Sequence, residues 1–518
     1  MLYSIGSLLA FSFVMSLIAI IALIWAIYSN QFDISQDQAR SILPVGENEQ
    51  TTIGENAFGP PEKRLILFFF ATAVGWLVIG SAFGLISSLK LHIPGLLDGS
   101  APLTFGRMRT MHLNSVVYGW TSLAALGTAL WLIPTLFRTR LRYPGVALWG
   151  GVLWNIAIVV GVIAIGSGWT DGMEWLEFPW QIDIALAVSV LLIGVSVLAT
   201  GKHRQVNHIY VSGWYISAAL LWFPVLFITA NVPSLYAGAQ EATVNWWYAH
   251  NVLGLWATPL GLAAAYYFIP RIIGKPIYSY RLSLLGFWAL ALFYSQVGLH
   301  HLVGGPIPTW AVTLSVVQSV MMVVPVVAVA INQHTLSLTN AWAWRESIPL
   351  RFVALGAILY TIVSLQGSLE ALRAVNTITH FTHYTVGHAH LGMYGFVALV
   401  MFGAMYYILP HLTGRRWPFP ALIGWHFWLV TVGIILYVGA LTVGGWLQGL
   451  AMLDPARPFM ESVRVTMPYL TLRSVGGSLM TLGHLLFAFH LFVFLAPRRD
   501  TARAAYVGNE HATGGTER

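Results

Sequence analysis

The chain has 518 residues, of which 57% are hydrophobic and only 9% are charged, and it contains 22 tryptophans and 27 phenylalanines. A soluble fold of this length could not bury so much apolar surface, so the composition excludes a soluble globular protein and predicts an all-α polytopic membrane protein. The absence of cysteine excludes disulfides and thiolate-ligated metal sites, and the net charge of +7 fits basic loops beside a bilayer better than nucleic-acid binding.

Thirteen apolar segments are long enough to cross a bilayer, and an acidic gap separates the first from the other twelve. We predict a transmembrane anchor at 1–30, a linker at 31–63, a twelve-helix domain at 64–497 and a polar tail at 498–518. The first segment lacks a basic start and a small-residue cleavage site, which favours a retained anchor over a signal peptide. The predicted spans are 4–28, 64–90, 109–137, 145–167, 179–200, 208–232, 244–269, 281–303, 307–333, 349–372, 383–409, 419–450 and 466–497.

The connections between these segments alternate: every second one is basic, and the others are poor in lysine and arginine. The positive-inside rule therefore places the basic loops in the cytoplasm and the N-terminus of the anchor outside. The basic residues are Arg138, Arg140, Arg142, Lys202, Arg204, Arg271, Lys275, Arg345, Arg351, Arg415, Arg416, Arg498 and Arg499.

Six histidines fall near one membrane depth, towards the outer side: His112, His250, His300, His301, His388 and His390. Histidine inside a membrane span is costly and usually functional, although buried structural histidines are the alternative. His300 and His301 are adjacent at the outer end of one predicted helix, so their side chains project about 100° apart. Together with His250 they predict a three-imidazole site for copper or zinc, and an open fourth position would make it catalytic.

His388 and His390 stand two positions apart in one hydrophobic segment, so their side chains project about 200° apart on a helix. This spacing suits two separate metal centres. One histidine can bind a haem next to the three-imidazole ion, and the other can bind a second haem, for which His112 is the natural second ligand. Two histidines give a six-coordinate electron-transfer haem, while a single histidine leaves one face open for a gas.

Tyr294 lies seven residues before His301 in one predicted helix, which places it on nearly the same face and two turns deeper. There it could donate a proton and an electron to a bound oxygen species, and an ordinary packing role is the alternative. Ser283 lies three turns further down that face, with Tyr278 and Tyr280 near its cytoplasmic end. These three residues predict a proton path. The alternative is that they are ordinary polar residues at the membrane interface.

From about residue 60 to residue 497 the sequence resembles the catalytic subunit of cbb3-type haem-copper cytochrome c oxidases. The motifs that carry the resemblance are Phe105–Arg109 with His112, Trp246–Asn251, Tyr278–Leu284 with Tyr294 and His300–His301, and Ala374–Thr377 with Gly387–His390.

The resemblance implies CuB on His250, His300 and His301, a high-spin haem on His388, and a low-spin haem between His112 and His390, both haems being of the b type. It also implies that Tyr294 is the active-site tyrosine cross-linked to a copper-binding histidine, by correspondence His250. Tyr360 and Asn376 join the proton path by resemblance.

An acidic run on the outer side resembles a segment of this family in which a glutamate helps bind calcium between the haem propionates; the matching residues are Glu174, Glu177, Trp180 and Asp183. Both Glu174 and Glu177 remain candidates for that role. Arg107 and Arg109 would pair with propionates, or alternatively with lipid headgroups.

Two features depart from the usual pattern of this family. Where the family has Phe-Glu-Gly-Pro, this chain has Leu365–Ser368, so that Gln366 puts an amide in place of a carboxylate near the catalytic site. The N-terminal anchor, with Trp25–Ile27 and Gln31–Asp33, is similar to the small single-helix assembly protein of the same oxidases and predicts a natural fusion.

The resemblance implies a terminal oxidase of the bacterial inner membrane that reduces O2 to water, with its site towards the periplasm and with proton uptake or pumping. Electrons would come from c-type haem subunits, because this chain has no Cys-x-x-Cys-His motif. The alternatives are a nitric oxide reductase, against which Tyr294 argues, a non-catalytic membrane cytochrome b, and a proton-coupled transporter.

Overall fold

The computed structural model describes residues 17, 20–32, 35–43, 58–233 and 235–496. Twelve helices in these ranges are long and apolar enough to cross a membrane, which confirms the predicted all-helical fold. The predicted anchor at 4–28 lies mostly outside the described residues. The spans are α1 Pro60–Lys90, α2 Phe105–Phe137, α3 Pro144–Ser167, α4 Trp180–Lys202, α5 Val211–Ala230, α6 Ala239–Ile273, α7 Tyr280–Leu302, α8 Thr309–Thr339, α9 Ile348–Glu370, α10 His383–Thr413, α11 Ala421–Leu453 and α12 Phe459–Leu495.

Local sequence explains where several of these helices begin. Pro60 and Pro61 open α1 in the first turn, where the missing amide hydrogen of proline has no cost. Ser279 precedes α7 and accepts a hydrogen bond from the Leu282 amide, and Ser347 caps α9 in the same way. Polar caps and prolines thus set the first turn of helices whose length is set by apolar residues.

Three helices occupy the centre of the bundle. In α2, α6 and α10, 94%, 89% and 78% of the most apolar window is buried, against 72% or less in the other nine spans. Neighbouring helices in the chain pack against one another, and α12 packs against α1, which closes the outer ring. The central helices are the ones that carry His112, His250, His388 and His390.

Each central helix widens into a π-helical stretch just after its histidine. The stretches are Ser115–Thr121 in α2, Leu253–Ala257 in α6 and Leu391–Ala398 in α10. Such turns are rare and cluster at functional sites, because the extra residue changes the direction of the side chains that follow. All three central helices therefore carry the same local distortion at the level of the histidines.

Helix α7 is interrupted before its two histidines, so the prediction of a continuous helix from Tyr294 to His301 is wrong. The α-helical part ends at Tyr294, and a separate 3₁₀ turn, Leu299–Leu302, follows Gly298, whose φ is +118°. Side chains of α6 hold the break: Trp247 donates to the Ser295 carbonyl at 2.9 Å and Asn251 to the Val297 carbonyl at 3.2 Å. These contacts satisfy carbonyl groups that a regular helix would have bonded internally.

The end of the bundle opposite the histidines holds part of the N-terminal segment. Gln31 donates to the Asn207 carbonyl at 2.8 Å and accepts from the Ile209 amide at 2.9 Å. Gln36, in the short helix Gln36–Arg40, donates to the Ile277 carbonyl at 2.6 Å and accepts from the Tyr280 amide at 3.2 Å. The N-terminal segment therefore binds the loops before α5 and α7.

Candidate metal centre

His250, His300 and His301 come together at one point between α6 and the end of α7. Their potential ligand atoms all lie within 4.8 Å of one another, which no other group of three or more such residues achieves in the described ranges. Imidazole nitrogens bind metals at about 2 Å, so only a small contraction is needed for one ion to reach all three. An all-imidazole donor set suits copper or zinc.

The surroundings of these rings fit metal ligands. The Nδ1 atom of His300 lies 3.3 Å from the Ser315 hydroxyl and 3.1 Å from the Ser319 hydroxyl, which leaves its Nε2 atom for a metal. His301 stacks on Trp246 with ring centroids 4.7 Å apart. The Nδ1 atom of His250 is buried and has no hydrogen-bond partner in the part of the chain that the structure describes. A buried polar atom without a partner is costly, and a bound ion would satisfy it.

Tyr294 lies beside this cluster, with its ring centroid 5.2 Å from that of His250. The space for the phenol exists because residue 254, one turn after His250, is glycine: a Cβ there would overlap Cε1 and Cζ of Tyr294. Sequence reasoning missed Gly254, since spacing along one chain does not show which ring packs against it.

His112 and His390 form a second pair. Their rings are nearly parallel, at 12°, with centroids 6.2 Å apart. Two imidazoles that bind one metal from opposite sides, at about 2 Å each, have centroids about 6 Å apart, so the pair fits a haem with two histidine ligands. The Gly80 carbonyl holds Nδ1 of His112 at 2.7 Å, and the Val386 carbonyl holds Nδ1 of His390 at 2.8 Å.

Two residues that sequence reasoning missed lie against this pair. The Tyr437 hydroxyl is 3.1 Å from Nε2 of His390, and Nε of Arg473 donates to the same hydroxyl at 2.8 Å. Arg473 is buried within α12. A charged residue inside an apolar span is functional by default, so this rule could have singled out Arg473 from the sequence.

His388 lies two residues before His390 in the same α-helical stretch, so its side chain projects from the other side of α10. Its Nδ1 atom is 3.4 Å from Oε1 of Gln366 and 3.7 Å from Oε2 of Glu370. The sequence predicts an amide in place of a carboxylate here. The structure shows the amide and, one turn later on α9, a buried carboxylate that sequence reasoning missed.

The outer acidic loop packs against the start of α2. Arg109 forms an ion pair with Glu174 at 2.8 Å, and Arg107 donates to the Gly166 carbonyl at 3.0 Å. Glu177 is buried and accepts from the Asn114 amide at 3.0 Å. Burial, and next the negative charge of Glu174, raise the pKa of Glu177 to about 7.

The predicted proton-path residues are only partly brought together. Tyr280 and Ser283 are both fully buried, and the Ser283 hydroxyl donates to the Tyr280 carbonyl at 2.7 Å. The Tyr280 hydroxyl lies 2.7 Å from Nε2 of His208, whereas Tyr278 is exposed. Tyr360 is buried deeper in the bundle and contacts the ring of Phe396, with ring centroids 4.9 Å apart.

Asn376 lies apart from these residues. It belongs to the short helix Arg373–Thr379 beyond the end of α9, where its amide donates to the Glu370 carbonyl at 3.3 Å. Sequence reasoning missed a different asparagine, Asn332, which accepts from the Ser279 amide at 2.8 Å and donates to the Tyr266 hydroxyl at 3.4 Å. Asn332 thus connects the start of α7 with the interior of α6.

The fold and these clusters define a polytopic helical membrane protein with three histidines that could hold one metal ion, near a second pair of histidines whose spacing fits a haem. Residues 64–479 match the family model of Cytochrome C and Quinol oxidase polypeptide I, and residues 4–44 match that of the cbb3-type cytochrome oxidase maturation protein.

Relatives and a solved structure agree with these matches. The chain is 34% identical to the cbb3-type cytochrome c oxidase subunit CcoN1 of Stutzerimonas stutzeri, over 82% of this chain and 94% of that protein. It is 33% identical to cytochrome c oxidase subunit 1 of Rhodobacter capsulatus, over 83% and 85%, but only 25% identical to a nitric oxide reductase chain of Stutzerimonas stutzeri, over 77% and 88%. A haem-copper terminal oxidase dimer shares the fold with a TM-score of 0.70 at 19% identity, covering 86% of each chain.

The chain therefore belongs to the Cytochrome C and Quinol oxidase polypeptide I family and, within it, to the cbb3-type cytochrome c oxidases. As predicted, it is a catalytic subunit of a terminal oxidase, spans the membrane several times and carries an N-terminal segment of the maturation-protein type. Membership implies haem and copper as cofactors and a complex with other subunits.

Proposed function

We propose that O2 is reduced to water between the His250, His300 and His301 cluster and a high-spin haem on His388. His112 and His390 would hold a second, low-spin haem for electron transfer. The observation that carries this proposal is the three-histidine cluster with Tyr294 beside it, 5.2 Å from the His250 ring. When bound, two b-type haems and one copper would supply the electron transfer and the gas binding.

The protein itself would orient the metal-binding side chains and supply a proton from Tyr294. The serines on α8 hold His300 in one orientation, and Gly254 leaves the phenol of Tyr294 against the cluster. There the phenol can give up a proton and an electron, and its contact with His250 favours an oxidase over a nitric oxide reductase. Because His388 and His390 stand on opposite sides of α10, one short stretch of helix connects the two haem sites.

We further propose that protons enter at the opposite end of the bundle, near Tyr278. Tyr280, Ser283 and Tyr360 would pass them towards Tyr294, together with Asn332 and Tyr266. The buried hydroxyl groups and the Asn332 contacts support this route. Asn376 would act at the outer end, through its contact with α9.

The proposed function also implies an orientation of the protein in the membrane and partner subunits that donate electrons. The histidine end would face the periplasm and the basic loops the cytoplasm of a bacterial inner membrane, with c-type haem subunits as electron donors. Arg107 and Arg109 would pair with propionates, and Glu174 or Glu177 would bind calcium beside them. The domain bounds would be an anchor at 1–30, a linker at 31–63, a catalytic domain at 64–497 and a tail at 498–518.

The Tyr294→Phe variant tests this assignment. In the purified complex we expect it to lose O2 uptake while it keeps both haem spectra and the copper, because only the phenol hydroxyl is removed. Full O2 uptake in this variant would remove Tyr294 from the reaction. A protein with extra non-haem iron and no copper would instead support nitric oxide reduction.

A further inference from the structure

Glu370 is a buried carboxylate to which the proposed reaction gives no role. It is the last residue of α9 and is only 6% exposed. Its Oε1 accepts a hydrogen bond from the Thr385 hydroxyl at 2.7 Å, and its Oε2 lies 3.7 Å from Nδ1 of His388. Among the described lysines, arginines and histidines, His388 alone places a side-chain nitrogen within 4.0 Å of this carboxylate. Burying a carboxylate costs free energy unless the group is paired. His388 is therefore the partner that could offset the cost of burying Glu370.

Gln366 lies one turn earlier on α9 and presents its Oε1 to the same nitrogen at 3.4 Å. Residues four apart lie on one face of a helix, so both side chains reach the same edge of the imidazole. Of the two, the carboxylate is the stronger acceptor, since hydrogen bonds to ionised groups are about twice as strong as neutral ones. The amide at Gln366 therefore does not leave His388 without a carboxylate.

We infer that Glu370 is a positioning residue for His388: its carboxylate, 3.7 Å from Nδ1, is the charged partner of the Nδ1–H edge of the ring beside Gln366, while Thr385 holds the carboxylate in place. The inference rests on the proposed function, because it takes His388 as the haem ligand. A carboxylate on the far nitrogen fixes the tautomer of a metal-binding histidine and increases its basicity. The Nε2 atom of His388 then donates more strongly to iron, which strengthens the iron–histidine bond and favours the oxidised metal.

The test uses the intact complex and two readouts other than turnover. Glu370→Gln keeps the shape of the side chain and removes its charge. We expect the iron–histidine stretching frequency of the reduced haem to fall, and the midpoint potential of the haem that binds carbon monoxide to rise. Gln366→Met is the matched control on the same face of α9, and it should change both quantities much less. A double variant, Gln366→Glu with Glu370→Gln, should return both quantities towards those of the unaltered protein.

Unchanged frequency and potential in Glu370→Gln would overturn the inference, and so would a larger change in Gln366→Met. If Glu370→Gln does not assemble, Thr385→Val removes the hydroxyl that holds the carboxylate. It should shift both quantities in the same direction, and no shift would count against Glu370. The proposed function fails separately, if the unaltered complex has no haem that binds carbon monoxide.

Discussion

The packing of Tyr294 against Gly254 yields the sharpest mutational prediction. A methyl group in Gly254→Ala would overlap Cε1 and Cζ of the phenol ring. Overpacking of this kind typically costs about 1–3 kcal/mol, and the strain is relieved if the ring moves away from His250. A displacement of about 1 Å at a reacting group can cost about 100-fold in rate, so we expect a loss of about that size.

The assay is O2 uptake by the purified complex, with haem spectra and copper content measured on the same sample. We expect Gly254→Ala to keep its haems and to lose turnover. Gly194→Ala is the matched control, because Gly194 is also buried in a spanning helix but an added Cβ there meets nothing within 4 Å. The control should retain turnover and gain about 0.5–1 kcal/mol of stability, the usual difference between alanine and glycine in a helix.

Wild-type turnover in Gly254→Ala would refute the reasoning, since it would mean that the position of the phenol against α6 does not matter. Equal losses in Gly254→Ala and Gly194→Ala would refute it as well, because the contact with Tyr294 would then explain nothing.

Three further variants test the surroundings of the site. Ser319→Ala removes the 3.1 Å contact with His300 and should weaken copper binding about 10-fold or more in a chelator competition; unchanged affinity would contradict it. Gln36→Ala removes two hydrogen bonds, to the Ile277 carbonyl and from the Tyr280 amide at the start of α7. Each typically contributes about 0.5–1.5 kcal/mol, so an unchanged melting temperature would count against this contact. Arg473→Gln removes a buried positive charge beside the His112 and His390 pair. In a redox titration it should lower the midpoint potential of the haem bound by this pair, and a rise would contradict the placement of Arg473 beside that haem.

The spanning helices could be predicted because length and apolar content are local properties of the sequence. The twelve predicted segments from residue 64 onwards correspond to α1–α12, with ends that differ by several residues. The π-helical stretches could not be predicted, because one extra residue in a turn hardly changes an apolar pattern. The break in α7 could not be predicted for a different reason. Side chains of α6 bind the interrupted backbone, and the apolar pattern of α7 itself does not reveal these contacts.

The clustering of these histidines could be predicted because imidazole is rare in membrane spans and their depths match. The spacing along a continuous helix predicts Tyr294 near them, but that helix is interrupted, and packing between α6 and α7 brings the ring to His250 instead. The family pattern marks the changed position, Gln366, and not Glu370, whereas a helix can offer the same chemistry one turn later. Arg473 had a usable signal, a lone charge inside an apolar span.

The measurement that tests the central claim most directly is a spectrum of the reduced complex with and without carbon monoxide, combined with copper and iron counts. We predict two haems in this chain, one of them shifted by carbon monoxide, and one copper with no additional non-haem iron. The open face of a haem held by His388 alone would bind the gas, while the haem between His112 and His390 would not. A complex in which no haem responds to carbon monoxide, or which holds no copper, would contradict the account.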